Sequence, residues 1–151
     1  MALVYLGLGT NLGNKTQNIN DAITLLSMKI GSVIGVSSFY TSEASGFISE
    51  NNFLNAVIII ETYFAPFQLL EETQKIEKKI GRTKKTINGY EDRLIDIDIL
   101  LYDNLIINQP TLKIPHPLMT KRVFVLLPLI EITPNLVHPV SNEFFRYYLI
   151  Q

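Results

Sequence analysis

Asp96 and Asp98 stand two residues apart in the run L-I-D-I-D-I-L-L-Y at 94–102. In a strand, positions i and i+2 point to one face, about 6.6 Å apart along the chain. Two carboxylates on one face of an Ile- and Leu-rich strand are costly unless they meet water, cations or metal. Oxygen ligands at this spacing suit one or two Mg2+ ions, which keep several waters and take further ligands from substrate phosphates. Cations surround the pair: Arg82, Lys84 and Lys85 precede it, Arg93 lies just before the run, and His116 and Arg122 follow. Arg donates in a fork that matches phosphate oxygens. A carboxylate pair for metal plus several cations is what a nucleoside triphosphate site requires. Each feature also has a plainer reading. The aspartates can be the solvated face of a half-exposed strand, and the cations a basic loop paired with Glu91 and Asp92.

Phe53 and Asn55 share a strand face by the same alternation. A ring beside an amide can stack on a flat heterocycle and read its edge; the plainer reading is a core Phe and an Asn capping a turn. The run Gly7-Leu8-Gly9-Thr10-Asn11-Leu12-Gly13 spaces its glycines G-x-G-x-x-x-G. That is not the dinucleotide fingerprint, and no P-loop is present. The run reads instead as a tight strand-to-helix turn. His116 sits between two prolines in a stiff loop, where its ring is either held for a ligand or part of a turn. His116 and His138 are too isolated to form a metal site.

The elements that must position these residues can be read from periodicity. Residues 3–9 form a short apolar run, a buried strand. Asn14 or Thr16 can cap a helix carrying Ile19, Ile23, Leu26 and Ile30, stopped at Gly31. A β-branched and hydroxyl-rich second strand is expected over 32–41, then a polar loop of about ten residues over 42–52. The third strand, 53–62, puts Phe53, Asn55, Val57 and Ile59 on one face and Leu54, Ala56, Ile58 and Ile60 on the other. Pro66 opens and Gly81 closes a second helix with the stripe Leu69, Thr73, Ile76 and Ile80. Gln74 and Glu77 lie about 60° apart on its flank. A polar segment over 82–92 holds the turn signal Asn88-Gly89, and a fourth strand spans 94–102. A short helix is expected over 120–132. The order strand, helix, strand, strand, helix, strand is the α+β, ferredoxin-like split βαβ sandwich, an antiparallel sheet with helices on one face. The other face must be covered by loops and tail, or used.

Length and composition bound the rest. The 151 residues amount to one domain, expected over 1–151 as a unit that stands alone. Thirteen Lys plus Arg against 14 Asp plus Glu leave a net charge of -1, which gives no global field for nucleic acid or an anionic membrane. Cys is 0, excluding a disulfide framework, thiolate metal sites and a cysteine nucleophile. The N-terminus has no basic n-region, and no apolar stretch approaches the roughly 20 residues of a membrane span. A cytoplasmic monomer is expected.

Five segments together then carry a resemblance: Y-L-G-L-G-T-N-L-G at 5–13, F-L-N-A-V at 53–57, I-E-K-K-I-G-R at 76–82, R-L-I-D-I-D-I-L-L-Y at 93–102, and I-P-H-P-L-M-T-K-R-V-F-V-L-L-P-L-I-E-I at 114–132. In order and spacing the chain resembles the 6-hydroxymethyl-7,8-dihydropterin pyrophosphokinases of folate biosynthesis, from about residue 3 to 139. The resemblance implies a ferredoxin-like fold and transfer of pyrophosphate from ATP to the pterin hydroxymethyl group, with release of AMP. It implies that Asp96 and Asp98 hold two Mg2+ ions and that Arg82 and Arg93 act on the phosphates from a mobile loop. Gln74, Glu77, Lys84, Tyr90, His116 and Arg122 would line the ATP site. Phe53 and Phe124 would sandwich the pterin, with Asn55 and Ser42 at its edge. The segment 82–92 is then the lid, with Gly81 and Gly89 as pivots. Asn88-Gly89-Tyr90-Glu91-Asp92-Arg93 replaces the family's usual Trp-Gly-Pro-Arg run, so Tyr90 takes the aromatic role, and Lys84 stands where Arg is common. The reading to be weighed against this enzyme is a non-catalytic ferredoxin-like module that binds a small molecule. An RNA-binding sheet lacks its stacking pairs and basic face.

Overall fold

The apolar run at the N-terminus forms β1 (Ala2–Thr10). Asn14 caps α1 (Lys15–Lys29), its side chain accepting the Gln17 N–H at 3.1 Å; this satisfies one donor that a helix start leaves open. The computed structural model describes residues 1–43, 51–81 and 94–150. Arg82, Lys84, Tyr90 and Arg93, and with them the expected lid, lie outside the described residues. So does most of the 42–52 loop.

The strand expected over 32–41 is two pieces, β2 (Gly31–Val36) and β3 (Tyr40–Ser42). The break falls at buried Ser37. Its N–H donates to the Val57 carbonyl at 2.9 Å, and its Oγ accepts the Val57 N–H at 2.9 Å. A hydroxyl thus replaces a backbone carbonyl in the ladder, and the chain can turn outward without stranding a buried donor. β4 (Phe53–Thr62) follows as expected, then α2 (Pro66–Ile80) with proline in its first turn. Gly81 ends α2 at φ 136°, a conformation side chains disfavour, and donates its N–H to the Glu77 carbonyl at 3.1 Å. β5 (Asp96–Tyr102) carries the acidic pair, and β6 (Ile107–Asn108) pairs with β7 (Lys113–Ile114). The helix expected over 120–132 is a 3-10 turn, Met119–Lys121, followed by α3 (Val123–Ile132). A second 3-10 stretch, Phe145–Ile150, ends the described chain.

Among the described residues the main sheet runs β2-β4-β1-β5, every pair antiparallel, with β3 continuing the β2 edge against the start of β4. With α1 between β1 and β2, and α2 between β4 and β5, this is the ferredoxin-like order. The alternation of β4 sorts its side chains between two cores. Ala56, Ile58 and Ile60 join Leu6, Leu8, Ile97, Ile19, Leu26, Leu69 and Ile76 under α1 and α2. Val57 and Ile59 join Tyr5, Leu100, Val125, Leu126, Leu129 and Phe145 under α3 and the C-terminal segment. Each such Val, Leu, Ile or Phe side chain contributes about 1.5–3 kcal/mol by leaving water. The face opposite α1 and α2 is therefore covered, but only toward one end; the other end holds Gly7, Gly9, Phe53, Asn55, Asp96 and Asp98. No helix among the described residues is long and apolar enough to cross a membrane.

Candidate active site

The sheet register lines up two rows across β4, β1 and β5. Asn55 pairs with Gly9 and Gly9 with Asp96; Val57 pairs with Gly7 and Gly7 with Asp98. Asn55 and Asp96 therefore stand about two interstrand spacings apart, about 9.5 Å, with no side chain between them. A Cβ on Gly9 would lie 3.3 Å from Asn55 Oδ1 and 3.6 Å from the Phe53 ring. The strand expected over 3–9 holds, and the strand-to-helix turn read over the glycine run is confined to its end. Gly7 and Gly9 lie inside β1, and Gly13, at φ 66°, is the glycine of the turn. The apolar alternation of Leu6 and Leu8 carries the strand through the run.

Asn55 is 5% exposed. Its Nδ2 donates to the Tyr40 carbonyl at 3.1 Å and to Ser42 Oγ at 2.8 Å. That leaves Oδ1 on the Gly9 side, where an N–H of a flat ring could reach it. Ser42 thus fixes the orientation of the Asn55 amide. Phe53 is half-buried at the same end of β4.

Asp96 and Asp98 are half-buried and flank the buried Ile97. Among the described residues β5 ends the sheet, so its outward N–H groups lack a strand partner there. The Ile97 N–H finds Glu77, whose Oε2 accepts it at 2.8 Å. Glu77 is 3% exposed whereas Gln74, one turn earlier on α2, is exposed. The two residues expected together on the helix flank therefore differ. Gln74 faces solvent, and Glu77 is tied to the backbone between the aspartates.

The C-terminal half brings His116, Arg122 and Phe124 to this end. His116 donates its backbone N–H to the Leu100 carbonyl at 2.9 Å, and its Nδ1 accepts the Leu118 N–H at 3.2 Å. The neutral ring therefore carries its proton on Nε2. Burial holds the His116 pKa below its ordinary value and the Arg122 charge adds to this, against an opposing pull from Asp96. Arg122 and Asp96 are thus both within electrostatic reach of His116. Arg122 occupies the residue just before α3, with its guanidinium carbon 5.7 Å from the centroid of the half-buried Phe124 ring.

A cleft of about 240 Å³ opens beside β5, lined by Leu70, Ile97, Asp98, Ile99, Thr111, Leu112, Lys113, His116 and the prolines at 110 and 117. Sequence reasoning missed Leu70, Thr111 and Lys113. The alternation in T-L-K-I at 111–114 was the available signal, because buried Leu112 and Ile114 leave Thr111 and Lys113 exposed. Among the described residues no three His, Asp or Glu side chains converge as a metal cage. The donor set present is two carboxylates on one open face. It fits Mg2+, which needs only one or two protein carboxylates when phosphates complete its shell.

Fold and site together define a ferredoxin-like α+β domain in which one sheet face carries an aromatic ring and an amide, a glycine floor and an acidic pair. The model of the family described as 7,8-dihydro-6-hydroxymethylpterin-pyrophosphokinase (HPPK) matches residues 5–134, and the chain belongs to that family. It is accordingly an enzyme, a kinase-type diphosphotransferase. A 2-amino-4-hydroxy-6-hydroxymethyldihydropteridine pyrophosphokinase of Porphyromonas gingivalis is 43% identical over 141 residues, covering 92% of this chain and 95% of that one. Its namesake in Aquifex aeolicus is 44% identical over 143 residues, covering 95% and 88%. The wild-type HPPK-DHPS crystal structure from Plasmodium falciparum shares the fold, with a TM-score of 0.76, 17% identity, and coverage of 97% of this chain and 44% of that one.

Proposed function

We propose that this enzyme transfers the pyrophosphoryl group of ATP to 6-hydroxymethyl-7,8-dihydropterin and releases AMP. The observation that carries the reading is the register that sets Asn55, Gly9 and Asp96 in one row. A flat pterin on the glycine floor would have its ring edge at Asn55 and its hydroxymethyl group directed at the aspartates. Phe53 and Phe124 would stack on the ring. The cleft beside β5 would take the base and ribose of ATP, running its triphosphate past His116 toward Asp96 and Asp98.

The hydroxymethyl oxygen would bond to the β-phosphorus while the bond from that phosphorus to the α–β bridging oxygen breaks. AMP leaves, and the hydroxyl proton passes to water. Such transfers rest on positioning and charge neutralisation rather than on a covalent nucleophile. Asp96 and Asp98 would hold two Mg2+ ions, which supply neutralisation of the triphosphate charge when bound. His116 would donate from Nε2 to a phosphate oxygen without adding a titrating charge, and Arg122 would add a fixed one. Arg82 and Arg93 would complete the cationic set, with Lys84 and Tyr90 on the same segment.

Incubation with ATP, Mg2+ and the dihydropterin should yield AMP only when the pterin is present. ADP would mean ordinary phosphoryl transfer and a wrong alignment of the triphosphate. Asp96→Ala and Asp98→Ala should each abolish turnover with the circular dichroism spectrum retained. Retained turnover in both would remove the metal assignment. Mg2+-independent ATP binding, without AMP formation, would favour the binding module.

A further inference from the structure

Glu131 lies in the last turn of α3, where a carboxylate faces the negative end of the helix dipole. It takes no cation as a salt-bridge partner among the described residues. It instead gathers neutral donors from Ser38 in the link between β2 and β3 and from Tyr40 at the start of β3. The Ser38 N–H donates to both Glu131 oxygens at 3.0 Å, Ser38 Oγ to Oε2 at 2.8 Å, and Tyr40 Oη to Oε1 at 2.7 Å. Position in the helix disfavours this carboxylate, so what offsets it is this set of bonds to residues 91–93 positions away in sequence.

Those ties join the two halves of the proposed pterin pocket. On one side, the Tyr40 carbonyl accepts from Asn55 Nδ2, which also donates to Ser42, and β3 pairs Ser42 with Phe53. On the other side, α3 carries Phe124 seven residues before Glu131, about 10.5 Å along the helix axis. Pro128 stands inside α3 and has no N–H for the Phe124 carbonyl four residues earlier. The turn that presents Phe124 is therefore short of one of its own helical bonds. Its placement depends more on what fixes the rest of the helix.

We propose that Glu131 is a positioning residue for the pterin pocket, clasping the end of α3 to β3 so that Phe124 is held opposite Phe53 and Asn55. This rests on the pterin reading given above. The Tyr40 bond is also the leading cause that holds the Glu131 pKa down and raises that of the Tyr40 hydroxyl.

The test is a comparison of wild type with Glu131→Gln, Tyr40→Phe and the double variant. It reads the KM for each substrate, kcat, and the Kd of the dihydropterin in the presence of a non-hydrolysable ATP analogue. Glu131→Gln keeps the size of the side chain but loses the charge that strengthens each bond. It should raise the pterin KM and Kd by about tenfold, with the ATP KM and saturating kcat within about twofold. Tyr40→Phe should give a smaller rise in the same direction, and the double variant should fall short of additivity. If the variants lose only thermal stability while the pterin KM and Kd stay at wild-type values, the clasp is merely structural and the proposal fails. Should Glu131→Gln not fold, Tyr40→Phe, which keeps the Ser38 bonds, is judged by the same criterion. Wild-type protein that binds no pterin would overturn the pocket reading and this proposal with it. Wild-type binding with unchanged variants overturns the clasp alone.

Discussion

Gly9 occupies the tightest position in the site. An added methyl would sit 3.3 Å from Asn55 Oδ1, close enough that the amide must give way by a few tenths of an ångström. Asn55 is held by two donor bonds from its Nδ2, so it cannot swing aside cheaply. Gly9→Val puts further methyls on the floor between Asn55 and Asp96. It is expected to raise the pterin KM by about tenfold or more, with a much smaller effect on the ATP KM, in steady-state assays. Equal rises for both substrates would mean that the floor is not where the pterin lies. The acidic pair and the Phe53–Asn55 pair were legible in the sequence because a two-residue period fixes the shared face of a strand. The floor was not legible, since a strand over 3–9 says nothing of which residues Gly9 faces until the register of β1 against both neighbours is known.

Glu77 shows what an element imposes that a motif does not. The helical period places it beside Gln74, but its burial follows from α2 lying over β5, the end strand of the sheet. An end strand presents unpaired backbone donors, and Glu77 takes the one between Asp96 and Asp98. Glu77→Ala leaves the Ile97 N–H unsatisfied and should lower unfolding free energy in urea by about 1–3 kcal/mol. Because that bond holds the segment bearing both aspartates, calorimetric binding of Mg2+-ATP should weaken more than pterin binding. Glu77→Gln, still an acceptor, should lose less on both counts. Wild-type stability in Glu77→Ala would show that the bond contributes nothing to the edge. The other elements divide along the same line. β4 and α2 were readable because alternation, Pro66 and Gly81 are local signals. The division of the second strand at Ser37 was hidden because it depends on a hydroxyl reaching across to Val57. The separation of Met119–Lys121 from α3 lacked a breaker in the sequence, since Arg122 turns to an extended conformation without Gly or Pro.

Over the whole molecule, both histidines of the chain are built in as neutral acceptors. His116 Nδ1 takes the Leu118 N–H, and His138 Nδ1 takes the Val140 N–H at 3.1 Å while its ring packs 5.3 Å from Phe145. Protonation at Nδ1 would turn each acceptor into a donor facing a donor. Burial holds both pKa values below the ordinary 6.5. A base whose folded pKa is depressed binds fewer protons folded than unfolded, so its stabilising effect is complete above about 6.5 and is lost as pH falls below that. Tyr102 and Tyr40 set the alkaline limit. Burial raises the Tyr102 pKa from 10.0, and the bond to Glu131 likewise raises that of Tyr40, so the folded state loses ground once unfolded tyrosines ionise. Melting temperature should therefore be level between about pH 6.5 and 10 and fall on both sides. Glu131, held below 4.5 chiefly by Tyr40, adds a later loss in stronger acid. In a His116→Gln/His138→Gln protein each amide oxygen can still accept the same N–H without titrating. Its melting temperature should stay level down to about pH 5 before the carboxylates protonate. An acid limb identical to wild type in that variant would place the loss elsewhere, among carboxylates protonated well above their ordinary range.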